Sequence, residues 1–290
     1  MTSQFLGIDI GGSHITSLPL RREGGKMVPA GITATTKVDA FLDRESLLQA
    51  WIGHLKQQEV HASGAIAIAM PGPFEYASGT ARFKPGLKMG ALNGLDLRAT
   101  LLRELPQLRA VYFENDAACF GLGADQKFRS AGHRRLMTIT LGTGIGSAFV
   151  EDGRLVKAMP GLPPGGEIYQ VPFGEGIADD FFGTRWFTHF AETEFGIIVP
   201  DLLALIGAAT PAELEEIFAA YASNLLELLL PVCRKFRPET LVLGGNIARA
   251  YPRFAPAFAP ELEKMGVHIY AVPQEAEMLT CLGAGQIIPV

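Results

Sequence analysis

The chain has 290 residues, of which 25 are lysine or arginine and 30 are aspartate or glutamate, so its formal net charge is −5. This acidic balance argues against nucleic acid or an anionic membrane as a partner, and a hydrophobic share of 48% is typical of a compact globular protein rather than a disordered one. At roughly 100–200 residues per domain, the length allows one large domain or two smaller ones. The chain starts without a signal-peptide pattern, and no apolar run approaches the ~20 residues of a membrane span. The odd, isolated cysteines fit neither a disulfide framework nor a zinc pattern, so we expect small buried side chains in a reducing, cytoplasmic compartment: Cys119, Cys233 and Cys281.

The first part of the chain predicts a hairpin, a helix and two buried strands. Residues 5–21 form two apolar runs joined at Gly11 and Gly12, and glycine accepts the positive φ angles that a hairpin tip requires. A helix is expected from Arg44 to Glu59, a buried strand over residues 65–69 and another strand over residues 111–113.

The second part of the chain repeats this layout. Residues 135–150 predict another hairpin with a glycine-rich turn at 142–146, and residues 240–243 predict a buried strand. The clearest helix spans residues 211–236, with Thr210 as its N-cap and Pro211 in its first turn. Alternating strands and helices indicate the α/β class, and we place a smaller domain at 1–110 and a larger one at 111–290. Whether the last helix, 275–288, packs back on the first domain is open at this point.

An acidic residue and a glycine pair stand at the first turn. Asp9 lies two positions before Gly11 and Gly12, and Ser13 follows them. The backbone N–H groups of such a turn can cradle a phosphate, while the carboxylate holds Mg²⁺ or its water shell. Taken alone, the motif is better explained as an ordinary hairpin with a solvated aspartate. His14 follows the turn directly, whereas the other histidines are scattered without ligand spacing.

The second turn contains Gly142, Thr143 and Gly144, so that a hydroxyl stands beside glycine amides. This arrangement suits a β- or γ-phosphate. The turn is not a P-loop, because no lysine follows, and it is not a dinucleotide fingerprint, because a strand and not a helix comes next. An ordinary hairpin explains this turn equally well when it is considered by itself.

A third motif, Asn115 and Asp116, stands between a buried strand and a helix. Either residue could be the helix N-cap, which is the commoner explanation in an unknown protein. The functional interpretation makes Asp116 a general base that takes the proton of an attacking hydroxyl, with Asn115 holding substrate hydroxyls.

Together and in this order, the three motifs resemble the ROK family of sugar kinases, which belongs to the hexokinase–actin superfamily. Residues 9–13 are similar to the family's Asp-x-Gly-Gly-Thr turn, residues 111–117 to its Val-x-x-Glu-Asn-Asp-Ala segment, and residues 141–146 to its Leu-Gly-Thr-Gly-x-Gly turn. Two shorter segments, 71–72 and 242–246, match the family as well. The joint pattern runs from about residue 5 to the C-terminus and is far more specific than any single piece.

The resemblance implies two ribonuclease-H-like α/β domains of the actin/hexokinase type with a cleft between them. It implies an ATP-dependent kinase that transfers the γ-phosphoryl group of MgATP to a hydroxyl, the 6-OH, of a hexose or hexose derivative, with Asp116 as general base. The implied sugar ligands include Asn115, Asp116 and Glu167. The implied ligands of the ATP phosphates, with Mg²⁺ held by Asp9 through water, are Asp9, Gly11, Gly12, Ser13, Gly142, Thr143 and Gly144. The adenosine would lie beside Gly244, Gly245 and Asn246.

The sequence departs from the family around residues 165–185. Glu167 fits a sugar-binding glutamate of the family, but Gln170 stands where a histidine is usual. Glutamine can hydrogen-bond a sugar hydroxyl but cannot ligate zinc as imidazole does. The family's cysteine knuckle is absent, so we expect no zinc site and aromatic packing in its place. Asp179 aligns best, to within one residue, with the family's second sugar-binding glutamate, and Gly86 replaces a usual asparagine.

Several alternatives stay open at this stage. One is a catalytically degenerate ROK-type protein that binds sugar or regulates, although the retained Asp116 favours catalysis and the chain reaches its first turn at Asp9 without a preceding DNA-binding module. Another is a different phosphoryl donor, such as polyphosphate. The sequence does not identify the sugar or show what the Gln170 and Gly86 departures do to activity. A homodimer is an expectation, since family members are often dimers.

Overall fold

The structure is a computed structural model that describes residues 4–58, 64–129 and 132–289. The chain divides into two compact units, the first formed by Met1–Gln126 with Glu277–Val290 and the second by Lys127–Ala276. The division therefore falls after Gln126 and not at the predicted 110/111. The reason is that the strand at residues 110–115 pairs in parallel with the strand at residues 65–70, so it belongs to the sheet of the first unit.

The first unit contains one large sheet and a small hairpin. Its strands are β1 (Gln4–Ile10), β2 (His14–Glu23), β3 (Lys26–Pro29), β4 (Ala34–Lys37), β5 (Ala65–Met70), β6 (Phe74–Glu75), β7 (Thr80–Ala81) and β8 (Ala110–Asn115). Its first helices are α1 (Arg44–Gln57), α2 (Leu97–Glu104) and α3 (Asp116–Phe128). The sheet order is β3-β2-β1-β5-β8, with β4 also paired to β2. Strands β1, β5 and β8 are parallel, whereas β2 runs antiparallel to β1, which confirms the predicted hairpin.

The second unit repeats this order. Its strands are β9 (Arg135–Leu141), β10 (Ile145–Glu151), β11 (Arg154–Leu155), β12 (Pro172–Phe173), β13 (Gly176–Ile177), β14 (Thr240–Gly244) and β15 (His268–Ala271). Its helices are α4 (Ala178–Phe182), α5 (Thr184–Phe195), α6 (Leu202–Ala208), α7 (Pro211–Phe236) and α8 (Tyr251–Glu263). The sheet order is β11-β10-β9-β14-β15, in which β9, β14 and β15 are parallel and β10 is antiparallel to β9. Each unit thus starts with an antiparallel hairpin whose first strand is extended by parallel strands.

Local signals explain the helix starts. In α7, Thr210 accepts the N–H of Glu213, whose carboxylate accepts the N–H of Thr210, and Pro211 opens the first turn as predicted. In α1, Asp43 accepts the N–H of Ser46 at 3.0 Å. This helix ends at Gln57, and the predicted end at Glu59 lies outside the described residues.

Among the described residues, α7 is the one helix whose length and composition would suffice to cross a membrane. Half of its most apolar stretch is buried, and its apolar side chains lie in the core of the second unit. Tyr221 and Leu225 are fully enclosed there, and the Tyr221 hydroxyl donates to the carbonyl of Phe182 at 3.2 Å. The apolar character of α7 is therefore accounted for by packing.

The last helix, α9 (Ala276–Gln286), packs on the first unit, which answers the question that the sequence left open. This close packing depends on glycines, which have no Cβ atom. A Cβ at Gly283 would overlap the carbonyl oxygen of Cys119 in α3, and a Cβ at Gly7 would overlap that of Cys281. All three cysteines are buried and free, as expected for small apolar side chains, and burial raises the pKa of each thiol.

Candidate functional site

The first glycine turn, residues 11–13, joins β1 to β2. The Gly11 N–H donates to the His14 carbonyl at 3.0 Å, and the Ser13 carbonyl accepts the Val38 N–H at 3.0 Å. Within the described residues, the N–H groups of Gly12 and Ser13 have no acceptor. The turn therefore has two backbone donors that the described part of the chain leaves unused, and an anion is a suitable acceptor for such donors.

Asp9 lies in β1 next to this turn and is buried. Its Oδ2 is 3.7 Å from Nε2 of His14, which is in turn 3.8 Å from Oε1 of Glu277 in α9. Burial raises the pKa of Asp9 even though His14 is close, and the Asp9 carboxylate raises the pKa of His14. The His14 Nε2 atom is buried without a hydrogen-bond partner among the described residues. An unsatisfied polar atom between two carboxylates marks a place that water or an ion can occupy.

The Asn115–Asp116 pair lies where β8 ends and α3 begins. The Asn115 Oδ1 accepts the N–H of Ala118 at 3.1 Å, so Asn115 does cap the helix. Its Nδ2 donates to the hydroxyl of Tyr76 at 3.3 Å, and that hydroxyl donates to the carbonyl of Met70 at the end of β5. Tyr76, which the sequence did not single out, thereby fixes the orientation of the Asn115 amide.

The Asp116 carboxylate is partly buried at the start of α3. Its Oδ1 accepts the N–H of Ala117 at 2.9 Å. Burial, with the negative charge of Asp9 as the second cause, raises the pKa of Asp116 to about 6. A carboxylate with a pKa near the working pH is suited to accept a proton from a substrate hydroxyl and to release it again.

The second glycine turn, residues 142–144, joins β9 to β10. The Gly142 carbonyl accepts both the N–H and the hydroxyl of Thr184, at 2.9 and 3.1 Å. In the described part of the chain, the N–H groups of Thr143 and Gly144 have no acceptor. Asp179 packs against Gly144 and accepts the N–H of Ile145 at 3.0 Å, so one of its oxygens supports the turn.

The strand β14 ends in a second glycine pair beside this turn. Gly245 has a φ of +84°, and a Cβ there would overlap the carbonyl oxygen of Leu141. The next residue, Asn246, lines a pocket of about 680 Å³ in the second unit. Thr184 lines the same pocket, so the pocket and the second glycine turn share one residue. The other lining residues are Asp201, Leu202, Leu203, Ile206, Ile247, Arg249, Ala250, Pro252 and Arg253.

The segment with Glu167 and Gln170 follows β11. A buried hydroxyl holds it, because Ser147 in β10 donates to the Gly166 carbonyl at 2.6 Å and accepts the Ile168 N–H at 3.0 Å. Glu167 is partly buried; its N–H donates to the Pro164 carbonyl at 3.2 Å, whereas its carboxylate has no hydrogen-bond partner in the described part of the chain. Gln170 is exposed and donates to the hydroxyl of Tyr169.

Aromatic rings pack where the family usually has its cysteine knuckle. Phe173 contacts Phe181 and Phe182 edge-on, with ring centroids 5.1 Å apart in both pairs. The rings of Phe182 and Trp186 both pack against the ring of Tyr221 in α7. Within residues 4–58, 64–129 and 132–289, no three His, Cys, Asp or Glu side chains are grouped to hold a metal. The predicted aromatic packing of this segment is confirmed.

The structure groups the predicted residues by unit. In the first unit, Asp9 adjoins the first glycine turn, and its carboxylate is close enough to Asp116 to raise the pKa of that side chain. In the second unit, the second glycine turn, Asp179 and the Gly245 turn lie together beside the pocket. The sequence did not predict three residues that contact the candidate site residues, namely Tyr76, Thr184 and Glu277. Only their contacts reveal them, because each partner lies far away in sequence.

The duplicated sheet, with a glycine turn in the leading hairpin of each unit, is the architecture of the actin/hexokinase-like fold. The sequence matches the model of the ROK family over residues 5–168, more than half of the chain, and the chain belongs to this family. A glucokinase from Thermotoga maritima is 24% identical over 273 residues, which cover 85% of this chain and 83% of the relative.

Solved structures show the same fold. A ROK hexokinase from Thermus thermophilus superimposes with a TM-score of 0.74 at 21% identity, covering 97% of both chains. A ROK family glucokinase from Streptomyces griseus, solved with glucose and AMPPNP, gives a TM-score of 0.67 at 18% identity, again over 97% of both chains. The predicted α/β fold of two ribonuclease-H-like units is thereby confirmed.

Proposed function

We propose that the protein is an ATP-dependent sugar kinase, which transfers the γ-phosphoryl group of MgATP to the 6-OH of a hexose or hexose derivative. The observation that carries the proposal is Asp116, a partly buried carboxylate at the start of α3 with a pKa raised to about 6. The relatives named above, a glucokinase and a hexokinase, support the same class of reaction.

Asp116 is the proposed general base. Its Oδ1 accepts the N–H of Ala117, and Oδ2 is the oxygen proposed to take the proton of the sugar hydroxyl. Phosphoryl transfer requires little covalent chemistry from the protein beyond positioning, charge neutralisation and activation of the nucleophile. Excluding water from the reacting groups keeps ATP from being hydrolysed without a sugar.

The nucleotide is proposed to bind through backbone donors of both turns and the pocket of the second unit. Gly11, Gly12, Ser13, Gly142, Thr143 and Gly144 are the proposed phosphate ligands. The free N–H groups at Gly12, Ser13, Thr143 and Gly144 support this assignment. Gly244, Gly245 and Asn246 are proposed to flank the adenosine, and the pocket beside Asn246, lined mostly by apolar residues, is large enough to admit a purine.

Asp9 fits the role of a Mg²⁺ ligand through water. The structure places its buried carboxylate close enough to Asp116 for the two charges to repel each other, and it leaves the His14 Nε2 without a partner beside it. Excess negative charge of this kind favours a divalent cation, and Mg²⁺ in kinases is commonly held by one or two carboxylates with water and substrate phosphates. The ion would neutralise charge on the phosphates during transfer.

The proposed sugar ligands are Asn115, Asp116, Glu167, Asp179 and Gln170. Asn115 uses its Oδ1 for the helix cap and donates one Nδ2 hydrogen to Tyr76, so the other Nδ2 hydrogen is the group proposed to meet the sugar. Glu167 is free to accept hydroxyls. For Asp179, one oxygen is engaged with Ile145 and the other is proposed to accept from the sugar. Gln170 is proposed to donate or accept in place of the usual histidine.

The test is ADP release from MgATP over a panel of hexoses and amino sugars, with Asp116→Asn and the surface variant Glu104→Gln as matched carboxyl-to-amide changes. Glu104 is an exposed partner of Arg103 in the same unit. We expect one or more sugars to stimulate ADP release, Asp116→Asn to lower kcat by about 10²–10⁴-fold with MgATP still bound, and Glu104→Gln to behave as wild type. A 6-deoxy analogue of the active sugar should not be phosphorylated, and polyphosphate in place of ATP tests the other donor.

The alternative is a non-catalytic sugar-binding or regulatory protein, which the exposed Gln170 at the usual histidine position favours. Binding of a sugar and of MgATP without sugar-dependent ADP release would establish this alternative. Full activity of Asp116→Asn would reject the proposed base while leaving the kinase function standing.

A further inference from the structure

A lysine lies across the first glycine turn. A Cβ built on Gly12 would be 3.1 Å from Cδ and 3.2 Å from Nζ of Lys88. Both the stem and the ammonium group of Lys88 therefore pass over the residue whose N–H is free. The absence of a side chain at Gly12 is what allows this approach.

The backbone around Lys88 is held in an unusual conformation. The next residue, Met89, is buried with a φ of +59°, and its N–H donates to the Ala40 carbonyl at 2.7 Å. The Gly90 N–H donates to the Leu87 carbonyl at 2.8 Å. A left-handed conformation is unfavourable for a long side chain such as methionine and persists where the surrounding structure enforces it. The segment thus pins the Cα of Lys88 beside the turn.

The ammonium group of Lys88 has no charged partner among the described residues. The side chain is exposed and forms no ion pair or hydrogen bond with any residue that the structure describes. Several other surface lysines and arginines do have a carboxylate partner, for example Arg82 with Glu75 and Lys264 with Glu261. A cation without a partner beside two free N–H groups forms a composite site for an anion with several oxygens.

We propose that Lys88 binds the phosphoryl group in transit, which deepens the proposed kinase function and rests on it. In the transfer, the bond from the γ-phosphorus to its bridging oxygen breaks, ADP leaves with that electron pair, and the sugar hydroxyl oxygen forms the new bond while Asp116 takes its proton. The Lys88 ammonium donates hydrogen bonds to the non-bridging oxygens of the γ-phosphoryl group and changes no covalent bond. It supplies at the first turn a positive charge that the turn's backbone cannot supply.

The test compares Lys88→Met, Lys88→Arg and the control Lys84→Met, which removes the same charge from an exposed lysine of the same segment. With the active sugar, Lys88→Met should lower kcat by about 10²–10³-fold at an unchanged KM for the sugar and an unchanged melting temperature. Lys88→Arg should recover part of the loss, and Lys84→Met should retain wild-type rates. Calorimetry should show weaker MgATP binding by Lys88→Met and unchanged MgADP binding.

Several results would overturn the proposal. These are a kcat of Lys88→Met within about threefold of wild type, equal losses in the Lys88→Met and Lys84→Met variants, and equal losses in the Met and Arg variants at position 88. A wild-type protein that is silent on every sugar would reject the proposed kinase function instead. The calorimetric comparison then decides separately about Lys88: selective loss of MgATP affinity supports its contact with the γ-phosphoryl group, and unchanged affinity rejects it.

Discussion

Asp116→Asn is expected to lower kcat strongly and, at neutral pH, to make the protein more stable. The carboxyl has a pKa of about 6 in the folded protein against an ordinary value of 3.8, because burial and Asp9 disfavour its charged form. Between these two values the folded state binds more protons than the unfolded state, so stability falls as the pH rises through this window. Above pH 6 the folded protein carries the whole cost of the ionised group.

The size of this cost follows from the shift. At about 1.36 kcal/mol per pKa unit, the shift corresponds to about 3 kcal/mol, which we reduce to about 1–2 kcal/mol because the side chain is partly exposed to solvent. Asparagine removes the charge and keeps an oxygen that can accept the Ala117 N–H. The gain in the free energy of unfolding should be full at pH 7, reduced to about a third at pH 4.5, and absent well below pH 3.8.

Chemical denaturation of wild type, Asp116→Asn and Glu104→Gln at pH 7 and pH 4.5 measures this difference. Glu104→Gln should stay within about 0.5 kcal/mol of wild type at both pH values. A gain for Asp116→Asn that is equal at the two pH values would show that the ionised carboxylate is not its cause. A loss of stability at pH 7 would refute the argument that Asp116 is held in its charged form at a cost.

Three further predictions concern the pKa of Asp116, the packing of α9 and the second glycine turn. The kcat/KM of the wild type should fall about tenfold per pH unit below pH 6, as a pH–rate profile reports for the free enzyme, and a limb near pH 4 would contradict the raised pKa of Asp116. Gly283→Ala should cost about 1–3 kcal/mol in urea denaturation because its Cβ overlaps a carbonyl of α3, whereas Gly53→Ala in α1, with open space at its Cβ, should be neutral or stabilising. Thr184→Val should raise the KM for ATP severalfold with little change in the KM for the sugar, since its hydroxyl holds the second glycine turn and it lines the adjacent pocket. Equal changes in both KM values would argue against that role for Thr184.

The parts of the fold that the sequence predicted are those that local physics decides. Glycine-rich turns between apolar runs predicted both hairpins, and Thr210 with Pro211 predicted the start of α7, because turn and cap requirements involve neighbouring residues only. The division of the chain was placed too early because the partner of β8 is β5, and pairing between distant strands leaves no local mark. The return of α9 depends on glycines whose meaning appears only once the facing carbonyl is known.

The candidate site follows the same rule. The glycine turns and Asp116 carry their chemistry in the residue type, so the motif predicts them. Tyr76 is different, because it acts through an amide 39 positions away, and a tyrosine in that segment has no pattern that announces it. Lys88 likewise becomes informative only through its position over Gly12.

The two leading hairpins share a strand–turn–strand layout, but the carboxylate beside each turn comes from a different element. In β1 the residue two positions before the turn is Asp9, whereas in β9 the corresponding residue is Thr140. The carboxylate at the second turn comes instead from α4, where Asp179 is engaged by the Ile145 N–H. A buried acid pointing from the strand favours a cation and must be balanced, and Lys88 brings a positive charge to that turn. At the second turn the carboxylate is tied to a backbone N–H, two other N–H groups have no acceptor among the described residues, and Thr184, which bonds to this turn, lines the adjacent pocket. We therefore propose that Mg²⁺ is held at the first turn through Asp9, and that the second turn binds phosphate through its backbone donors.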